Sequence, residues 1–206
     1  MSITLIIIIL TVIISWSGWN SPELQYRLML NPYSVTKRAQ FYRLISSGFV
    51  HANWMHLGFN MFTFYFFGRN IEHLFSALYG SSGTYYFLFL YLVGIVVSDI
   101  PSLLKYKDHP HYNSLGASGG VSSIVFCSIM FFPLEKIYLF AIIGIPGFIL
   151  GIMYIIYSYY EGKRMEGNVN HHAHLIGALF GVVFSIYIEP AIIVRFVEQV
   201  LSYRFF

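Results

Sequence analysis

Long runs of apolar residues separated by short polar stretches dominate this chain, and the length of the runs carries the first information. A helix crossing a bilayer needs about 20 mostly apolar residues. Six runs approach that length, near Ile3–Trp19, Met55–Phe75, Thr84–Ser98, Gly116–Phe132, Ile137–Tyr157 and Ala173–Ile188. The pattern predicts six membrane-spanning helices. Pro101, Pro133 and Pro190 follow three of the runs, where a residue without an N–H commonly ends a helix. Trp16, Trp19, Trp54, Tyr85, Tyr86 and the cluster from Tyr157 to Tyr160 mark other ends, since a ring with one polar atom suits the membrane interface. The stretch from Asn20 to Trp54 mixes Arg27, Lys37, Arg38 and Arg43 with Leu28, Met29, Leu30, Phe41, Tyr42, Leu44 and Ile45, and reads as an amphipathic element against the membrane surface. No repeat or interdomain linker interrupts the chain, so residues 1–206 read as one membrane domain.

Composition agrees with the pattern. With 57% hydrophobic and 10% charged residues and a mean hydropathy of +0.65, the chain falls outside the range of soluble domains. It is predicted to be an all-α, polytopic membrane protein. Met1–Trp19 lacks the basic start and small-residue cleavage site of a signal peptide, and is kept as the first helix. The net charge of +3 is scattered without an aromatic-interleaved patch, which excludes a nucleic acid partner. The single cysteine, Cys127, excludes an internal disulfide. It lies roughly 13 Å along the same predicted helix from Ser118, where packing explains it better than catalysis.

Three of the apolar runs begin with polar groups suited to one site. Gly116-Ala117-Ser118-Gly119 opens the fourth run, and glycines beside a serine at a helix start allow close backbone approach where unpaired N–H groups attract negative charge. The second run begins with His56 and Asn60, four apart on one helical face, and the sixth with Ala173-His174. On the sixth helix His174, Gly177 and Gly181 share a stripe, while Gly116, Gly120 and Ser123 form a small-residue face on the fourth. Meeting of these faces brings Ser118 and His174 together. If six helices alternate in direction, His56, Asn60, Ser118 and His174 also lie at one depth.

A serine hydroxyl needs a base within hydrogen-bond reach to act as a nucleophile, and His174 is the best-placed candidate. Asn60 and His56 are candidate donors to a developing oxyanion. The carboxylates Glu23, Glu72, Asp99, Asp108, Glu135, Glu161, Glu166, Glu189 and Glu198 all read as lying in loops or near helix ends, without the spacing to orient His174. A Ser-His dyad follows. The structural alternative is that the glycines and Ser118 serve only helix packing. A metalloprotease would need His-Glu-x-x-His, which is absent. A metal or proton site of a transporter on His171, His172 and His174 is a further alternative, but His172 leaves the face shared by the other two and no carboxylate supplements them. His109 and His111 read as solvated loop residues, and His51 and His73 as interfacial. No metal and no cofactor are implied.

These residues resemble the rhomboid intramembrane serine proteases. The resemblance covers all six predicted helices and rests on His56-x-x-x-Asn60, Gly116-x-Ser118-Gly119, and Ala173-His174 followed by Gly177 and Gly181, in the family's order. It implies Ser118 as nucleophile and His174 as general base. It also implies an oxyanion hole of His56, Asn60 and the Ser118 N–H, with Gly116, Gly119, Gly177 and Gly181 supporting close helix packing. The substrates implied are transmembrane segments of other proteins in the lipid bilayer, cleaved where they unwind. A catalytically inactive rhomboid-like protein that binds transmembrane helices is the alternative, although its usual mark, loss of the serine or histidine, is absent.

The chain departs from the family pattern at two places. Tyr42-Arg43 stands where well-known members carry Trp-Arg, and Ser122 stands where many carry an aromatic that stacks on the histidine. Another aromatic, Tyr154, is therefore expected to hold the His174 ring. Orientation poses a conflict. Arg27, Lys37, Arg38, Arg43, Lys105, Lys107, Lys163 and Arg164 fall on the active-site side, against Arg69, Lys136, Arg195 and Arg204 on the other, so the positive-inside rule points the site to the cytoplasm. The family implies cytoplasmic N- and C-termini in the cell (inner) membrane. That orientation is preferred, because four of the charges belong to the long first loop.

Overall fold

The computed structural model describes residues 2–139, 142–164 and 171–204. Each of the six predicted apolar runs contains a helix: α1 (Ile3–Asn20), α5 (Trp54–Tyr79), α6 (Gly83–Tyr106), α7 (Ser118–Phe131), α8 (Gly147–Arg164) and α9 (His171–Ile188). Between α1 and α5 the first loop folds as α2 (Pro22–Leu28), α3 (Pro32–Arg38) and α4 (Arg43–Ser46), so the amphipathic element is three short helices. Two of them start at an Asx or Ser cap followed by proline, Ser21-Pro22 and Asn31-Pro32, the order that satisfies a helix's first N–H groups. Among the described residues, two continuous helical stretches qualify as membrane spans by length and apolarity, Ile3–Asn20 and Trp54–Tyr106, and the bent pair His172–Ile188 and Ile192–Ser202 would make a third if taken as one span, short of the six expected. The second is an antiparallel pair. The chain reverses at Gly80, whose φ of 57° suits glycine, and Phe64 then meets Phe87 and Tyr91 at ring separations of 6.0 and 4.4 Å.

Several boundaries differ from expectation. Pro101 does not end α6, which continues to Tyr106. A proline within a helix removes one backbone bond and need not end the helix where neighbouring groups can satisfy the freed carbonyl. The fifth run is helical only from Gly147. Before it, β1 (Lys136–Leu139) and β2 (Ile143–Pro146) pair antiparallel with Ile137 opposite Ile145, so the all-α expectation is corrected by a small hairpin. Alternate β-branched residues fit a strand as well as an apolar helix, and periodicity over so short a run does not separate them. After Pro190 the chain bends by 113° from α9 into α10 (Ile192–Ser202), which forms no apolar run in the sequence because its apolar residues alternate with Arg195, Glu198 and Gln199.

α7 packs against α5, α6 and α9. From Gly119 to Met130 it is buried on nearly every side, as a central helix must be. Its small residues let the neighbours close in. Gly94 of α6 lies over Ser123, Ser98 over Gly119, and Gly120 against the Tyr91 carbonyl. At the far end Phe75, Phe131 and Phe184 meet at 6.2–6.3 Å and close the apolar core. There, too, α1 is moored: Glu72 accepts hydrogen bonds from the Ser2 hydroxyl (2.5 Å), the Ile3 N–H (2.7 Å), and the Thr4 N–H (3.1 Å) and hydroxyl (2.7 Å). A carboxylate at a helix N-terminus satisfies otherwise orphaned donors.

Candidate active site

Asn53 caps α5 by accepting the His56 N–H at 2.9 Å, which sets His56 in the first turn. Its ring lies against Gly116, where φ is +119° and a β-carbon would fall 2.6 Å from His56 Cε1 and 2.8 Å from Nε2. Only glycine fits there. The Ala52 N–H approaches Nδ1 at 3.5 Å, an arrangement that leaves the ring proton on Nε2, the nitrogen nearer Gly116. One turn on, the buried Asn60 amide donates to the His56 carbonyl at 2.9 Å, using one of its two N–H bonds.

The turn before Ser118 hangs on the first loop. Leu30 and Ser114 exchange backbone hydrogen bonds of 2.9 and 3.0 Å, Gly116 N–H donates to the Ser47 carbonyl at 2.9 Å, and Ala117 N–H donates to His51 Nε2 at 3.3 Å. Ser118 then opens α7, half-buried, at a helix start whose N–H groups have no partner within the helix. α9 runs parallel to α7 with backbones in contact. A β-carbon on Gly177 would collide with the Gly119 carbonyl, and one on Gly181 with that of Ser123. The part of α7 that meets α9 is thus the backbone at Gly119 and Ser123, whose β-positions turn to Ser98 and Gly94 of α6. Gly120 turns to α6 and Gly116 to His56, a shift from the expected Gly116-Gly120-Ser123 face.

Ser118 and His174 consequently occupy the first turns of adjacent parallel helices. Ser118 and Ala173 line one cavity of about 20 Å³ together with Ser47, Ser98, Asp99 and Gly119. The His174 ring is stacked by Tyr154 of α8, with centroids 6.1 Å apart and planes at 21°. The neighbour of Ser118, Gly119, lies against Ser98, eight residues or roughly 12 Å below the end of α6, so the serine is recessed within the bundle.

Three residues lie elsewhere than the sequence suggests. Asp99 is neither a loop nor an end residue: it sits inside α6, nine-tenths buried, accepts the Ser47 hydroxyl at 3.2 Å and faces the Ser118 cavity. Glu72 likewise belongs to a helix body, whereas Glu161 lies near the end of α8 as expected. A carboxylate within an apolar helix is itself a signal, masked here because Pro101 reads as a helix end. His51 is fully buried rather than interfacial, and burial pushes its imidazole down to about 3. His73, His109, His111 and His172 are exposed, and the His171 side chain lies outside the described residues. Among the described residues, no three His, Cys, Asp or Glu side chains are grouped to hold a metal ion.

The model of the rhomboid domain family matches residues 38–190. The chain is 27% identical over 191 residues to RHOMBOID-like protein 12, mitochondrial, of Arabidopsis thaliana, covering 84% of this chain and 53% of that protein. It is 28% identical over 186 residues to Rhomboid protein 1, mitochondrial, of Saccharomyces cerevisiae, covering 84% and 50%. It is 31% identical over 157 residues to Rhomboid-like protein 11, chloroplastic, of Arabidopsis thaliana, covering 69% and 51%. The chain spans about half the length of these relatives. With the family model covering most of its length, this helical membrane protein belongs to the rhomboid family.

Proposed function

We propose that this protein is an intramembrane serine endopeptidase, a single six-span domain over residues 1–206 that cleaves transmembrane segments of membrane proteins with a Ser118-His174 dyad. The observation that supports this reading is the glycine contact between α7 and α9, which brings the helix starts that carry Ser118 and His174 side by side. In the proposed reaction Ser118 Oγ attacks the scissile carbonyl carbon as its proton passes to His174. The oxyanion is met by the Ser118 N–H, His56 Nε2–H and the second Asn60 N–H. The C–N bond then breaks and the leaving amine takes the proton from His174. Water, deprotonated by the same imidazole, hydrolyses the acyl-enzyme. A bilayer helix hides its peptide bonds, so the substrate must unwind and water must reach the recessed serine.

Fluorophosphonate labelling of the purified protein tests this reading against Ser118→Ala and His174→Ala. Labelling that requires both residues supports the dyad. An unlabelled, folded wild type favours a helix-binding rhomboid without catalysis. We further propose cytoplasmic N- and C-termini in a cell membrane, in part because Arg43 does not act as a surface charge. It is buried, donating to the Tyr26 and Met29 carbonyls at 2.7 and 2.8 Å. A reporter fused to the C-terminus and found outside the cytoplasm overturns that orientation.

A further inference from the structure

His51 has no part in the chemistry above, yet it joins three pieces of the molecule. Its Nε2 lies 3.3 Å from the Ala117 N–H, immediately before Ser118, and its Nδ1 lies 3.0 Å from the Ser15 hydroxyl of α1. A backbone N–H can only donate, so Nε2 accepts and carries no proton. The ring of a neutral imidazole then holds its proton on Nδ1 and donates to Ser15 Oγ. Ser15 passes its own proton to the Phe49 carbonyl at 3.0 Å. Each donor has one acceptor, and only one neutral tautomer satisfies the set. The residue is anchored from outside as well, its carbonyl accepting from Trp19 Nε1 at 2.7 Å and Gln25 Nε2 at 3.3 Å. Its ring edge meets the His56 ring at 4.9 Å and 68°.

We propose that His51 is a positioning residue for the acyl-transfer site: it fixes the Gly116–Ser118 turn through the Ala117 N–H and backs the His56 ring, so that the Ser118 N–H and His56 face one oxyanion. The proposal rests on the reading of Ser118 as nucleophile. Gly116 N–H on the Ser47 carbonyl and Ala117 N–H on His51 pin two successive amides, leaving the next one, of Ser118, to project from the helix start. A rotated turn would move that amide away from the oxyanion while leaving the Ser118 hydroxyl in place, a loss of transition-state stabilisation rather than of the nucleophile. Of the side chains around the ring, Ser15, Trp19 and Gln25 carry no titratable charge. The titratable neighbour is His56.

Three variants separate acceptor from scaffold. Gln places an oxygen near the position of Nε2 and can accept the Ala117 N–H; Asn reaches only the position of Nδ1; Phe keeps the ring without either bond. The rate of fluorophosphonate labelling and the thermal midpoint are measured for each in detergent, together with kcat and KM on a transmembrane peptide. His51→Gln is expected to label at close to the wild-type rate, and His51→Asn and His51→Phe about 10²-fold more slowly through kcat, the usual effect of a lost oxyanion donor. Equal rates for Gln and Asn, or a loss that simply follows the thermal midpoint, overturns the proposal. ¹⁵N-histidine spectra, assigned by difference from His51→Gln, supply a readout independent of catalysis. A bare Nε2 and protonated Nδ1 at both pH 8 and pH 5 is expected, and an imidazolium at pH 5 overturns it. A wild type that does not label at all defeats the Ser118 reading instead, and the spectra still judge the His51 bonds on their own.

Discussion

Tyr154 stacks on His174 and is itself held by Ser122, whose Oγ lies 2.8 Å from the tyrosine hydroxyl. The position one turn after Ser118, which carries no ring in this chain, therefore still supports the histidine, but through a neighbour on α8. A serine too small to stack becomes the hydrogen-bond partner of the residue that does. In the proposed dyad the contact matters because a general base contributes about 10² to 10⁴ in rate only while its ring stays in reach of the nucleophile.

Tyr154→Leu is expected to slow fluorophosphonate labelling about tenfold or more, a part of that base contribution. Tyr154→Phe keeps the stack and is expected to stay within about threefold, because a single neutral hydrogen bond is worth about 1 kcal/mol. Equal labelling by the Leu variant and wild type removes the ring from any role in holding His174.

Gly181→Ala places a methyl against the Ser123 carbonyl, and Gly177→Ala places one against that of Gly119. Overpacking of this kind costs about 1–3 kcal/mol, here borne by the helix pair that carries the site. Both variants are expected to lower the thermal midpoint and the labelling rate together. Gly58→Ala is the control: nothing lies within 4 Å of its β-position, and the helix gains up to about 1 kcal/mol of propensity. A Gly181→Ala protein as stable as Gly58→Ala contradicts the close approach of α7 and α9.

Glu72→Gln replaces a carboxylate that accepts four hydrogen bonds from Ser2, Ile3 and Thr4 with a neutral amide able to accept fewer. Bonds to a charged group contribute roughly 1.5–3 kcal/mol each at most, and they hold the start of α1 together with the packing of Ile3 and Ile7 on the core. The variant is expected to release the start of α1, seen as faster hydrogen exchange at residues 3–8, with the Ser118 end unaffected. Unchanged exchange there would show that apolar packing alone holds the helix.

Stability should also depend on pH through His51. Its imidazole is held down at about 3 by burial, with the His56 ring a smaller cause, against an ordinary value near 6.5. The unfolded chain therefore takes up the proton first. Stability contributed by the neutral ring is complete above pH 6.5 and falls as the pH drops toward 3, by up to about 1.4 kcal/mol per pH unit. Thermal midpoints measured between pH 7 and pH 4 are expected to fall less steeply for His51→Gln than for wild type. Parallel slopes would mean that the buried histidine does not titrate on unfolding.

The helix starts at Trp54 and Ser118 were legible within one or two residues, because an Asx cap or a glycine turn precedes each apolar run. The hairpin at 136–146 was not, since its isoleucines satisfy either period. Of the candidate site, Ser118, His174, His56 and Asn60 could be named from their residue types and spacing at helix starts. His51 and Asp99 could not be weighed in that way. Their role depends on what surrounds them: a turn sixty-six residues further on for His51, and a serine fifty-two residues earlier for Asp99.

The sequence by itself determined that this is a helical membrane protein with a serine, two histidines and an asparagine at the heads of three apolar runs, because burial in lipid demands long apolar segments and polar residues there stand out. The tertiary structure alone decided which faces meet. The backbone at Gly119 and Ser123 meets α9 while the β-positions of Gly119, Gly120 and Ser123 turn to α6, Tyr154 replaces an aromatic at Ser122, and His51 is buried beneath the serine turn. The difference is physical: periodicity records that a residue is buried, whereas its partner is settled by close packing between helices distant in the chain, where a shift of one glycine changes every contact.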